Sequence, residues 1–368
     1  MTRTHPTYDP VLERSPEDDE SEPRMLCRHD DAVAAAHDPI TYSSAVSRFL
    51  QIPNGLDGEA HRSARDLFDP FFAPARMDTL EPLLVTIAED LVQNLPRDMA
   101  FDAVHDIGAR FAVRAQSAWL GWPASIEQEL LDWMDDNHRA TRSGDLARTT
   151  RAAEQFDAII QRLVAERRAP DPSNDVTTEL VQLQDGNGRP LADEALVSAL
   201  RNWTGGDLGS MALATGVIVH WLALHPDHQE HLRSATSSEL VAAIDEILRL
   251  DDPFVSNRRV ATRETTTISG CPVHAGQKVI LNWTAANLDS EAFDQPDRFD
   301  PGAHAAKNLV FGTGPHACPG RPLASLELRI ITRALLQVGR VLPALEPPQR
   351  ELPPLGGFSR VPIRIIPR

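Results

Sequence analysis

Cysteine is scarce: Cys27, Cys271 and Cys318 are the three in 368 residues. That excludes a disulfide framework and fits a reducing cytosol. No run of eighteen apolar residues occurs, so no membrane span is expected. The N-terminus lacks a basic stretch leading into an apolar one, so no secretory signal is expected. Zinc-ligand spacings, a Walker loop and a Rossmann fingerprint are missing. Basic residues are outnumbered, 36 Lys and Arg against 53 Asp and Glu, for a formal net charge of -17. This balance argues against bulk nucleic-acid binding. The length suffices for a sizeable core and, as a soft prior, suggests two domains.

Unusual residues concentrate in one stretch, Phe311-Gly-Thr-Gly-Pro-His-Ala-Cys318-Pro-Gly-Arg-Pro-Leu-Ala-Ser. Leu323, Leu326 and Ile330 then recur at helical spacing, with Glu327, Arg329 and Arg333 elsewhere, which predicts a helix just after the cysteine. A cysteine at a helix N-terminus faces unsatisfied N–H groups and the positive end of the dipole, which favour thiolate over thiol. Thr313 with Gly314, and Pro319 with Gly320, let the backbone pass close to something flat and large. A buried structural residue is the usual reading of a lone cysteine. That reading requires no glycine two residues later, no second glycine four before, and no phenylalanine seven before.

At these residues the chain resembles the cytochrome P-450 superfamily, whose haem-binding signature is F-x-x-G-x-H-x-C-x-G. All five fixed positions are met, by Phe311, Gly314, His316, Cys318 and Gly320. The resemblance covers about residues 25–368. It implies a mainly α fold with a smaller β region, in a single triangular prism-like domain. It also implies haem b (iron protoporphyrin IX), with Cys318 as the axial thiolate on the iron and Phe311, Gly312, His316 and Gly320 around the cofactor. An acidic leader over residues 1–24, with Glu13, Glu17, Asp18, Asp19, Glu20 and Glu22 among prolines, is expected to be solvated and partly disordered. No fused flavin reductase is expected in a chain of this length.

Met25-Leu-Cys-Arg-His-Asp-Asp-Ala-Val-Ala resembles the family's early strand and following helix. His61 and Arg65 stand four apart, so on a helix they share a face. Spacing alone is compatible with an ordinary solvated face. The match from Phe68 through Pro74 and Arg76 favours the family's H-x-x-x-R pair, which meets the haem propionates through charge-assisted bonds. The loop between about Tyr42 and Ala60 is shorter than the family norm. Because that loop normally roofs the pocket, a more open pocket, or a roof supplied by a partner subunit, is expected. Residues 78–169 read as amphipathic helices broken at Pro96, Gly121-Trp-Pro123 and Pro170, and residues 170–192 as a loop.

Residues 192–224 contain no proline and predict one long helix centred on Trp203-Thr-Gly-Gly-Asp207-Leu-Gly-Ser210. Three glycines in five positions cost about 1 kcal/mol each in a helix interior, tolerable for a kink, a close approach or a packing crossover. In the family this is the oxygen-binding groove, with an acid followed by threonine. Counting back from His225-Pro226 puts Ser210 at the threonine position and Gly209 at the acid position, with Asp207 one turn before Ser210. Ser210 and Asp207 are therefore the expected catalytic residues, jointly supplying protons for dioxygen activation. Serine lacks the methyl that restricts threonine, so looser delivery and some loss of reducing equivalents as peroxide are expected. A different gap placement makes Asp207 the family acid and leaves Leu208 at the threonine position.

Asp245-Glu246-Ile-Leu-Arg249 supplies E-x-x-R, and Arg298 matches the arginine that joins this pair in the family's structural lock. The resemblance makes Arg259 a propionate partner, with Arg258 as the runner-up. It makes Gly206, Pro253, Phe254, Val255 and Phe358 candidate substrate contacts, Phe358 at the tip of a C-terminal hairpin. Thr265-Thr-Thr-Ile-Ser-Gly and Lys278-Val-Ile-Leu read as strands around a turn at His274-Ala-Gly276. Arg321, Arg329 and Arg333 share one broad side of the helix after Cys318, either as a patch for an acidic ferredoxin or as a solvated face.

The implied activity is a cytoplasmic, soluble bacterial-type monooxygenase. It inserts one atom of dioxygen into a small or medium apolar organic molecule by hydroxylation, epoxidation or oxidative dealkylation. Electrons come from NAD(P)H through a ferredoxin and its reductase; no nucleic acid or membrane is involved. The altered Asp207/Ser210 region motivates an alternative, peroxide-driven or non-oxygenating haem-thiolate chemistry such as rearrangement or dehydration. A non-catalytic haem sensor or carrier is the alternative of another class.

Overall fold

The computed structural model describes residues 22–47, 49–97 and 99–367. Most of the acidic leader thus lies outside the described residues. The first strand, Arg24–Leu26, begins one residue before the expected domain start and pairs in parallel with Lys278–Asn282. Ser256–Ala261 and then Tyr42–Ser43 complete this four-stranded sheet antiparallel. Smaller ladders join Phe101–Asp102, Pro362–Ile366 and Arg340–Pro343, and join Gln349–Arg350 with Phe358–Arg360. The 265–270 strand is shorter than expected: only Thr265–Thr266 pairs, against Pro272–Val273. The turn falls where predicted, and Gly276 takes φ +82°, a conformation that favours glycine.

Helices make up the rest, and the long one, Asp193–Leu224, is the axis of the core. It is long and apolar enough to cross a membrane by length and composition, but most of it is buried against other elements. Its flanks meet Arg110–Leu120, Leu146–Glu166 and the helix after the cysteine, Arg321–Val338. In that last helix Leu323, Leu326 and Ile330 face the core as their spacing predicts. The lock-bearing helix Ser237–Leu250 starts at a capping box, in which Thr236 Oγ1 accepts from the Glu239 N–H and Glu239 accepts from the Thr236 N–H.

The 78–169 region contains more breaks than expected. Helices Pro74–Gln93, Arg110–Leu120, Glu127–Ser143 and Leu146–Glu166 are separated by an intervening strand and a π-helical turn over Ala103–Ala109. A further break at Gly144 (φ +64°) precedes Asp145, which caps the next helix. Among the described residues between Tyr42–Ser43 and Gly58 there is no helix. This loop is tied to the long helix instead. Ser198 Oγ accepts from the Ile52 N–H (2.8 Å) and donates to Leu50 O (2.9 Å), and Asn202 donates to Ile52 O (2.8 Å).

Candidate functional site

A cavity holding about 1480 Å³ of empty space, its mouth included, lies between the long helix and the helix that follows Cys318. Cys318 is on its wall. The preceding loop is closed by the Cys318 N–H donating to Phe311 O (2.9 Å) and the Ala317 N–H to Gly314 O (3.0 Å). Gly314 is needed for a different reason from the one expected. It takes φ +74°, and a Cβ there would fall 2.6 Å from Ala36 O, so its close neighbour is another helix of the protein rather than a flat ligand. Gly320 lines the cavity and has room for a Cβ, 3.6 Å from Phe72 and 3.8 Å from the cysteine sulfur.

The expected acidification of Cys318 by the helix terminus is not what the fold produces. The residue keeps accessible surface where the cavity opens onto it, while protein crowds the sulfur's other sides. Burial pushes the thiol up, and the Asp207 charge adds to this; N–H groups of Gly320 and Arg321 and the Arg65 guanidinium only partly oppose it. A bound cation would reverse this balance, since a coordinating thiol is deprotonated outright.

The predicted propionate partners converge at one edge of the cavity. His61 is buried and its Nε2 has no partner. Its ring lies 4.0 Å, centroid to centroid, from that of His316. His316 Nε2 meets Ser44 Oγ (3.0 Å) and Asp57 Oδ1 (3.3 Å). Burial, with the charges of His61 and Arg259, lowers His316 to about 4, so this contact is a neutral hydrogen bond and not an ion pair. Burial and then Arg65 lower His61 too. Arg65 is partly committed: it donates to Asp69 (2.6 Å) and to the loop carbonyls of Pro315 and Ala317 (3.0 and 3.1 Å). Strand alternation buries Arg259 and leaves Arg258 exposed. An orphaned imidazole nitrogen and a buried, under-paired guanidinium suit an anionic ligand.

Along the long helix Asn202, Gly206, Asp207, Ser210, Met211 and Ala214 line the cavity at helical spacing. Leu208 is fully buried and does not line the cavity. The helix is α-helical through all three glycines, without a break. A Cβ on Gly206 would meet nothing within 4 Å; one on Gly209 would lie 3.1 Å from His138 Nε2. Gly209 thus faces a histidine on Glu127–Ser143, not the cavity.

Glu327, which the helical spacing set apart from the apolar face, is buried. Both its oxygens are buried without a partner, as is Oδ2 of Asp207, and the Asp207 charge bears on Glu327. Burial raises Asp207 to about 7, and raises Glu327 well above the carboxylate range, with the Asp207 charge contributing. The available signal was a lone acid between Leu326 and Leu328 on a helix whose neighbours point inward. Asp252 is also buried, on the cavity wall. Pro253 and Phe254 line the cavity as expected; Val255 and Phe358 do not. Phe358 instead stacks near His220 (4.5 Å) beneath the Arg350 guanidinium (4.1 Å).

The lock forms with one substitution of parts. Arg249 Nε and Nη2 donate to Glu246 at 2.8 and 2.9 Å, both side chains being buried. Arg298 does not join through its side chain, which is 62% exposed and 3.9 Å from Asp300. Its carbonyl accepts from Arg249 (3.3 Å), and His304 Nδ1 takes the third place, 2.7 Å from Glu246. The three arginines after Cys318 each have partners within the protein. Arg329 pairs with Glu81 (2.8 Å), Arg333 donates to the carbonyls of Leu232, Arg233 and Ala235, and Arg321 reaches Asp245 (3.1 Å).

The cytochrome P-450 family model matches residues 127–366. The chain belongs to the cytochrome P-450 family. This P-450 is 30% identical over 327 residues to the erythromycin C-12 hydroxylase of Saccharopolyspora erythraea, covering 84% of this chain and 80% of the other. It is 30% identical over 351 residues to the cyclomarin C epoxidase CymV of Salinispora arenicola, covering 91% and 86%. A solved structure of a mutant of P-450 EryK with erythromycin B superposes with a TM-score of 0.86 at 26% identity, covering 97% of this chain and 94% of that one. The mainly helical fold expected from the signature is therefore the one adopted. The P-450 is a haem-thiolate monooxygenase with haem b as its cofactor. The cavity fits that group: a cysteine sulfur on its wall, and an orphaned His61 nitrogen beside buried Arg259 at its edge.

Proposed function

We propose that the Cys318 sulfur would hold the iron of haem b as a thiolate and that His61, Arg65 and Arg259 would hold its propionates, with His316, Phe311, Gly312 and Gly320 forming the surrounding wall. Thiolate-bound haem supplies the chemistry of O–O cleavage. The protein's part is access, orientation and protons. Support comes above all from the one cavity that brings the Cys318 sulfur, the orphaned His61 nitrogen and the Ser210 face of the long helix together. Alanine at His61 or Arg259 removes one hydrogen bond to a charged group, about 1.5–3 kcal/mol each. Each variant is expected to lose haem faster than wild type to an apomyoglobin acceptor. Arg258→Ala, at the exposed neighbour, is expected to match wild type.

The substrate is proposed to be a small or medium, predominantly apolar organic molecule, held against Gly206, Met211, Ala214, Pro253 and Phe254. One oxygen atom enters it and the other leaves as water, with two electrons from NAD(P)H through a ferredoxin and its reductase in the cytoplasm. Screening compounds for a spin-state shift of the ferric protein tests this. Turnover of a shifting compound with dioxygen, NADPH and the two redox proteins is the expected result, and its absence with every such compound overturns the reading.

Ser210 and Asp207 are the proposed proton path, with Glu327 behind Asp207. Because Asp207 is raised to about 7, it holds its proton below that pH and gives it up above. Turnover coupled to product is expected to fall as pH rises through 7, and this fall should vanish in Asp207→Asn. Ser210→Ala is expected to lower coupled turnover about 10²-fold, with peroxide accumulating. The altered Asp207/Ser210 region motivates a second reading in which peroxide is the oxidant. Turnover with hydrogen peroxide but none with dioxygen and redox partners selects it.

A further inference from the structure

Asp252 is the one acid on the cavity wall for which the reading above has no use. Its side chain is 1% exposed. Oδ1 accepts from the Phe254 N–H (2.8 Å), while Oδ2 has no partner. The residue lines the same cavity as Leu248, Pro253, Met211 and Ala214. We propose that Asp252 is the polar anchor of the substrate pocket, donating from Oδ2 to a carbonyl oxygen on an otherwise apolar substrate. This rests on the monooxygenase reading and narrows its substrate class.

The surroundings oppose a negative charge at this place. The helix Ser237–Leu250 ends just before it, with its carbonyls and the negative end of its dipole toward the following residues. Asp251 is the charged neighbour that bears on it, and the nearby cation, Arg350, is bound to Asp251 at 2.6 Å. Burial accordingly pushes Asp252 well above the usual carboxylate range. A neutral carboxyl with Oδ1 already accepting carries its proton on Oδ2, where it is a donor without an acceptor. An orphaned buried polar group costs about 1–3 kcal/mol. A ligand carbonyl removes that cost, whereas a hydrocarbon entering the pocket leaves it in place. The same logic keeps a carboxylic acid neutral as a donor in other apolar sites.

Three probes of matched shape test this on the ferric holoenzyme, by titration of the Soret shift: cyclododecanone, cyclododecane and N,N-dimethylcyclododecylamine. The ketone is expected to bind about tenfold tighter than the hydrocarbon. Asp252→Asn still accepts at Oδ1 and donates from its amide nitrogen, so it should keep that preference. Asp252→Leu should abolish it. Infrared spectra give a readout independent of ligand choice: a protonated-carboxyl band that is missing in Asp252→Asn and shifts to lower frequency in wild type when ketone is added. Equal binding of ketone and hydrocarbon, an amine that binds best and loses its advantage in Asp252→Asn, or an unchanged infrared band in that variant overturns the proposal. The ferrous carbonyl spectrum of the same samples separates the two readings. Its thiolate form lost from wild type would sink the haem-site assignment, whereas its presence beside equal binding rejects Asp252 alone.

Discussion

Cys318→Ser is expected to remove the ferrous carbonyl band of thiolate-ligated haem and to lower monooxygenase turnover more than about 100-fold. Changes to partners of metal ligands alone cost about 10–100-fold, and here the ligand itself is replaced. Serine keeps the size and the loop geometry, since the Cys318 N–H to Phe311 O bond is made by the backbone. What it lacks is a group that ionises on the metal to give a soft, electron-rich donor. The fold contributes little toward that ionisation. Burial and Asp207 outweigh the Gly320 and Arg321 N–H groups, so the thiol is raised in the absence of iron. The thiolate therefore comes from the metal bond, and no polarised hydroxyl at this position can replace it. Haem is still expected to bind the variant weakly through His61, Arg65 and Arg259. An unchanged carbonyl spectrum in Cys318→Ser contradicts the assignment.

Glu246→Ala should destabilise the protein by about 3–5 kcal/mol, because it strands the Arg249 guanidinium in a site without water. It also removes the acceptor for His304 and for the Asp300 N–H (3.0 Å). Typical domains unfold at a cost of only about 5–15 kcal/mol, so the yield of folded, haem-loaded protein should fall sharply. The urea midpoint is expected to drop with an unchanged slope. Two companion variants identify the parts of the lock. His304→Ala loses a hydrogen bond to a charged group, about 1.5–3 kcal/mol. Arg298→Ala removes only an exposed side chain and should stay within about 0.5 kcal/mol. A large loss in Arg298→Ala with little in His304→Ala would reverse their assigned roles.

The legible features were those whose meaning is local. The spacing from Phe311 to Gly320, the four-residue interval between His61 and Arg65, and the three-residue interval in E-x-x-R each define a turn or a helix face from a few neighbours. Ser210, reached by counting back from His225-Pro226, lines the cavity, because the helix runs unbroken from there to Leu224 and keeps its register. Arg298 failed for the opposite reason. Whether its guanidinium or its carbonyl meets Arg249 depends on how a loop some fifty residues away is laid over the helix, and His304 was close enough to take the place.

Arg329 and Arg333 are likewise bound at places far apart in sequence, to Glu81 and to carbonyls at the end of a neighbouring helix. Residue order was enough to specify a helical P-450 with its cysteine at a helix start, because those are matters of spacing and local backbone preference. Only packing could decide which acids are neutral, that Gly314 is required by Ala36, and that Cys318 is a reluctant thiolate. Each of these depends on water being excluded by residues distant in the chain, and desolvation belongs to the assembled molecule rather than to any stretch of it.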